Sequence, residues 1–288
     1  MKKSFLALSL CMSIVAIAQS KTTVLIRCDD IGMCHSVNMA AKEVLETGIP
    51  VSMSVMVPCP WFAEAAELLK KYKNVSVGIH LTLNAEWKLY RWGPVAGARS
   101  VPSLVDSLGY FFPSRSALFN NHPSLADIET ELRAQIDKAL AAGLKIDYLD
   151  HHMGAVVETP ETRAILEKLA KEYKLGISRY YEEEGIEGWY FADPKDKSDS
   201  IQRLFRELKP GSIKLFVFHV GLDSPEMAAM EDANPWGPKN MYLHRNAERG
   251  ALVSKEVQAL LHDTRFALVN YGMLNREIGI EKMKRPVK

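Results

Sequence analysis

The chain has 288 residues, 47% of them hydrophobic and 25% charged, with a formal net charge of +1. That length suits one large α/β domain, and the composition is that of a folded globular chain, not a disordered or fibrous one. Without a long basic run it lacks the footprint of an electrostatic nucleic-acid binder.

The first residues, MKKSFLALSLCMSIVAIAQS, join Lys2 and Lys3 to an apolar run and to Ala16-Ile17-Ala18. This is the tripartite form of a secretory leader, and the apolar run is too short for a comfortable membrane span. The expectation is a signal peptide over residues 1–18 and one domain over residues 19–288. The mature protein is then exported, periplasmic or secreted, with no stable membrane insertion. Cleavage leaves Cys28, Cys34 and Cys59, an odd set that reads as buried free thiols and not as a disulfide framework.

TTVLIRC (22–28) is a continuous apolar run, as in a strand covered on both faces. VNMAAKEVLETG has helical spacing and stops at Gly48. A second strand (52–57), a second helix (WFAEAAELLKKY) and a third strand (75–81) follow. Residues 84–122 read as a long ordered loop, rich in Pro, Gly and aromatics that include Trp87 and Trp92. Ser124 opens a strong helix that ends at Gly143, and KIDYLD is the fourth strand. Thr159 and Pro160 are the N-cap and first residue of the next helix. LGISRY is a short fifth strand, SIQRLFRELK a helix, and SIKLFVFHV (212–220) a strong sixth strand. SKEVQALL and FALVNY give the last helix and strand. This alternation predicts an α/β fold: a single-domain irregular (β/α) barrel of about seven mostly parallel strands.

Chemistry in such barrels sits at the carboxyl ends of the strands. The first strand ends in Asp29-Asp30, the third in His80, the fourth in Asp150-His151-His152 and the sixth in His219, while the short fifth carries Arg179. Adjacent carboxylates repel unless a cation or a shared proton intervenes, so Asp29 and Asp30 can hold different jobs. One Asp with two His is a three-ligand set with open positions, suited to zinc and to non-haem iron, and less well to magnesium.

CDDIG, VGIHLTLN, YLDHHMG and the late strand ending in His together resemble the YdjC-like (ChbG/HpnK) carbohydrate deacetylase family, over nearly the whole mature chain. The resemblance implies a polysaccharide-deacetylase-like barrel, one divalent metal ion (zinc or magnesium), a carbohydrate substrate and hydrolysis of the acetyl amide of N-acetylated sugars. It implies Asp30, His80 and His152 as metal ligands, Asp29 as base and His219 as acid. Arg179 is expected to orient the sugar or hold Asp29, and Trp87 and Trp92 to stack on sugar faces. Gly154 and Val220 stand where many members carry a second His and a Pro. The rival readings are a non-haem iron oxygenase, a non-catalytic periplasmic sugar-binding protein, and a glycoside hydrolase using Glu182, Glu183 and Glu184. That acidic run reads better as a solvated loop.

Overall fold

A computed structural model describes residues 21–235 and 237–286. The leader expected at residues 1–18 lies outside the described residues.

In chain order the first elements are β1 (Thr22–Ile31), α1 (His35–Glu46), β2 (Val51–Val55), α2 (Phe62–Leu69) and β3 (Val75–Leu81). Then come α3 (Arg115–Asn120), α4 (Leu125–Ala141), β4 (Ile146–His151), α5 (Pro160–Tyr173) and β5 (Gly176–Ile177). The rest is β6 (Glu184–Ile186), α6 (Lys197–Glu207), β7 (Lys214–Phe218), α7 (Pro225–Ala228), α8 (Met241–Val253), α9 (Lys255–Leu261), β8 (Phe266–Val269) and α10 (Tyr271–Glu277). The helices form for local reasons. In α1 the buried Val37, Ala40, Ala41 and Val44 recur at helical spacing and make one stripe. In α5 Thr159 and Thr162 cap each other, and Pro160 occupies the first turn, where its missing N–H costs nothing.

Among the described residues every pairing between these strands is parallel, in the order β5-β4-β3-β2-β1-β7-β6, with β8 also paired to β1. The sheet is therefore a curled half-barrel whose strand path ends at β5 and β6. Alternation sorts its side chains. Val24, Ile26 and Cys28 face outward into the large core under the helices. Leu25, Tyr148, Leu215, Val269 and Tyr271 fill the inside of the curl. Tyr148 lies opposite Gly78 in the register, and any Cβ at Gly78 would meet the tyrosine ring at 2.2 Å. Only glycine lets that ring cross the interior.

Four features differ from the sequence reading. Among the described residues the sheet has eight strands, because Glu184–Ile186 pairs with β7 as a short edge strand instead of lying in a solvated loop. Helix α8 has buried Arg245 and Glu248 on its inner side, so its pattern reads as polar. Helix α10 follows β8 and packs Tyr271 and Leu274 against the inside of the curl. Segment 84–122 holds α3, one 3-10 turn and an isolated antiparallel bridge between Val105 and Phe111, and it buries Trp87, Trp92 and Phe111. Cys28, Cys34 and Cys59 are buried free thiols, as expected.

Candidate active site

Strict alternation would send Asp29 and Asp30 to opposite faces of β1. The strand breaks its register there: pairing to β2 is irregular between Cys28 and Ile31, and Asp30 adopts a positive φ of 66°. Aspartate tolerates this left-handed conformation better than most residues. The bulge brings both carboxylates to the carboxyl end of the sheet, where both are buried. Asp29 is gripped from below by Arg27, two residues back on the same inner row. Arg27 Nε and Nη2 donate to its two oxygens at 2.7 and 2.6 Å. Burial works against the Asp29 charge, but Arg27 and His80 outweigh it and hold the carboxyl well below its ordinary range.

Asp30 Oδ1 lies 3.5 Å from His80 Nε2 and 3.3 Å from His152 Nδ1. These three ligand atoms all fall within 4.8 Å of one another. Each imidazole leans on a carboxylate with its other nitrogen. His152 Nε2 is 2.9 Å from Glu86 Oε2, and His80 Nδ1 is 3.0 Å from Asp150 Oδ1, an ion-pair approach off the hydrogen-bond line. Such a carboxylate behind a histidine fixes the tautomer and turns the free nitrogen towards a cation. Burial disfavours charge on both rings, yet Glu86 and Asp30 carry His152 up to about 10, and Asp150 and Asp29 raise His80. Two rings pressed to hold protons around one carboxylate mark a place built for positive charge.

The donor set fits a divalent ion. Asp30 Oδ1 is buried and has no hydrogen-bond partner, an expensive orphan unless something positive meets it. Its other oxygen, Oδ2, accepts from Arg245 Nη2 at 2.5 Å. Asp29, His80 and Asp150 form a second close cluster, but Arg27 contacts both of its carboxylates, so it supports the first set and makes no second centre. His151 faces away from the ligand set, and burial lowers it to about 4. After His152 the chain turns through Met153 and Gly154 at φ 49° and 76°, which explains a glycine at 154.

The rest of the mouth comes from β7 and α8. Glu248 Oε2 accepts the backbone N–H of His219 at 2.8 Å, and its Oε1 pairs with the fully buried Lys197 at 2.6 Å. His219 Nδ1 is buried without a partner, and burial lowers that ring below its ordinary value. The expected sites are thus partly rearranged. Asp29, Asp30, His80, His152 and His219 stand together at one end of the sheet. Arg27, not Arg179, holds Asp29. Trp87 and Trp92 are 2% and 3% exposed and offer no face to a sugar. Trp87 lies under the Arg245 guanidinium, 5.6 Å away, and Trp92 packs 6.5 Å from the His152 ring. Sequence reasoning missed Arg27, Glu86, Arg245, Glu248 and Lys197. Arg27 carried a usable signal, a charge in an apolar strand two residues before an Asp.

Fold and site define the class: a parallel β/α half-barrel with a mixed carboxylate–imidazole centre at the carboxyl ends of its strands. The family model described as YdjC-like protein matches residues 23–263, and the chain belongs to that family. A Brevibacillus brevis relative named carbohydrate deacetylase is 34% identical over 64% of this chain, a match that spans 66% of the relative's own length. A Thermoanaerobacter pseudethanolicus relative with the same name is 25% identical over 87% of this chain and 98% of its own. A solved Enterococcus faecalis structure, provisionally described as a cellobiose-phosphate cleavage protein, superposes with a TM-score of 0.73 over 88% of this chain and 99% of its own. At 23% identity that likeness speaks to the fold.

Proposed function

We propose that this protein is a metal-dependent carbohydrate deacetylase, hydrolysing the acetyl amide of an N-acetylated sugar. The observation that carries the reading is the orphaned Asp30 Oδ1 facing His80 and His152 beside a separately held Asp29. The relatives' shared name supplies the carbohydrate and the acetyl group. Two imidazoles and one carboxylate suit zinc better than magnesium. When bound, such an ion lowers the pKa of water and polarises an amide carbonyl.

The chain's own groups supply the proton chemistry. Asp29 is an anion fixed by Arg27, so it is oriented to take a proton from the attacking water. The departing amine must gain a proton, because an unprotonated amide nitrogen leaves poorly. His219 borders the same space but is pushed towards neutrality. It acts as the acid only after gaining a proton: Asp29, protonated as water attacks, passes that proton to His219, which hands it to the nitrogen as the C–N bond breaks, leaving Asp29 ionised and the acetyl group as acetate. Arg245 neutralises the Asp30 oxygen that faces away from the histidines, so the centre keeps one free ligand atom on that carboxylate.

Export belongs to the same proposal, and no described helix is long and apolar enough to cross a membrane. Mass spectrometry of the protein from the periplasmic fraction tests it, with a mature N-terminus after Ala18 as the expected result. The function is tested by incubating purified protein with a panel of N-acetylated sugars and assaying acetate, before and after chelation and after zinc is restored. Acetate release that chelation abolishes and zinc restores is expected. Release that survives complete metal removal sinks the metal role, and no release from any sugar sinks the reading.

A further inference from the structure

The half-barrel does not close between β5 and β6, and a cavity of about 320 Å³ opens at that seam. Arg27, Arg179, Trp189, Tyr190, Phe191 and His219 line it. None of Asp30, His80 and His152 does, so an amide held at those three lies outside it, across His219. We propose that this cavity is a saccharide subsite, taking the sugar ring next to the one that carries the acetamide. The proposal rests on the deacetylase reading and names the part of the substrate that its chemistry leaves open.

Three observations carry it. Phe191 is 74% exposed and Tyr190 36%, unusual for aromatics beside a buried catalytic wall, and their rings meet edge to face at 4.9 Å. Such faces match the C–H faces of a pyranose. Second, Arg179 lines the cavity and is only loosely paired there, with the exposed Glu187. Its φ of 70° is held by Glu183, which accepts the backbone N–H groups of Arg179 and Tyr181 at 2.8 and 2.7 Å. Among the described residues its guanidinium donates no hydrogen bond, and the nearest carboxylate, Glu187, is 4.0 Å away. Five donors beside an apolar wall suit hydroxyl oxygens at a ring edge. Third, the wall is anchored. Trp189 stacks on Phe218 at 5.0 Å, and buried Lys197 donates to the Tyr190 carbonyl at 3.0 Å while pairing with Glu248. The same Glu248 holds the His219 backbone, so the sugar wall and the relay histidine share one support.

The test compares N-acetylglucosamine with its β-1,4-linked disaccharide for the wild type, Phe191→Ala and Arg179→Ala. The subsite predicts that each substitution lowers kcat/KM for the disaccharide by about tenfold relative to the monosaccharide, through KM. An equal effect on both sugars, or a fall confined to kcat, overturns it. Calorimetry with the deacetylated disaccharide provides an arm independent of turnover. Wild-type protein should bind it about tenfold more tightly than Phe191→Ala. If no sugar yields acetate, the deacetylase reading fails while this arm still decides the subsite, and equal binding by the two proteins overturns it.

Discussion

The two flanks of the barrel mouth treat the same residue type in opposite ways. On the β3–β4 flank, His80 and His152 each lean on a carboxylate and are drawn towards positive charge. On the β7–α8 flank, His219 has no hydrogen-bond partner at Nδ1, and burial, helped by Arg245 and opposed by Asp30, leaves it towards neutral. Between them, Asp30 gives one oxygen to each side, Oδ1 to the histidines and Oδ2 to Arg245. The group behind each ring, not its place at a strand end, sets whether a histidine here is drawn towards positive charge or towards neutrality.

Replacing Asp29, which belongs to neither flank, should have the largest effect. Asp29→Asn keeps the ligand set, so metal content should hold while turnover falls by about 10²–10⁴-fold. Full acetate release by that variant removes the base assignment. On the cationic flank, Lys197→Met leaves Glu248 buried and unpaired, and should cost about 3–5 kcal/mol in urea unfolding. Adding Glu248→Gln should recover part of that loss, and an unchanged midpoint for the single variant would show that no buried charge pair locks this side.

On the other flank, Glu86→Gln takes the carboxylate from behind His152 and should weaken metal affinity by about 10–100-fold. Titration with a competing chelator measures it, and an unaltered affinity would erase the contrast between the flanks. The smallest effect is pH. Against burial, Glu86 and Asp30 hold metal-free His152 up to about 10, so it carries a proton at neutral pH that binding must expel. Affinity should therefore rise with pH by about tenfold per unit through the neutral range. Calorimetry in buffers of different ionisation enthalpy would detect the released proton.

Much of one flank was legible in the sequence. Asp30, His80 and His152 follow apolar runs that can only be buried strands, and parallel strands deliver their carboxyl ends to one place. The other flank was not. Helix α8 carries Arg245 and Glu248 as two ordinary charges in a polar stretch, and only packing turns them inward. Glu86 likewise sits in an irregular segment where periodicity says nothing about direction. The two tryptophans near it misled, because an aromatic in a loop looks the same whether it faces a ligand or backs a buried cation.

The alternation of strands and helices follows from local pattern, since a short apolar run between helical stretches reads as a buried parallel strand. The acidic pair on β1 is also written in the chain, but that both carboxylates face one way is not. Alternation alone separates them, and Asp30, turned into positive φ, meets Arg245 and the two histidines, which come from parts of the chain far away in sequence. Residue identity thus determined which groups reach the mouth. Only tertiary packing decided each one's partner, because pairing between buried charges depends on distances that no local pattern encodes.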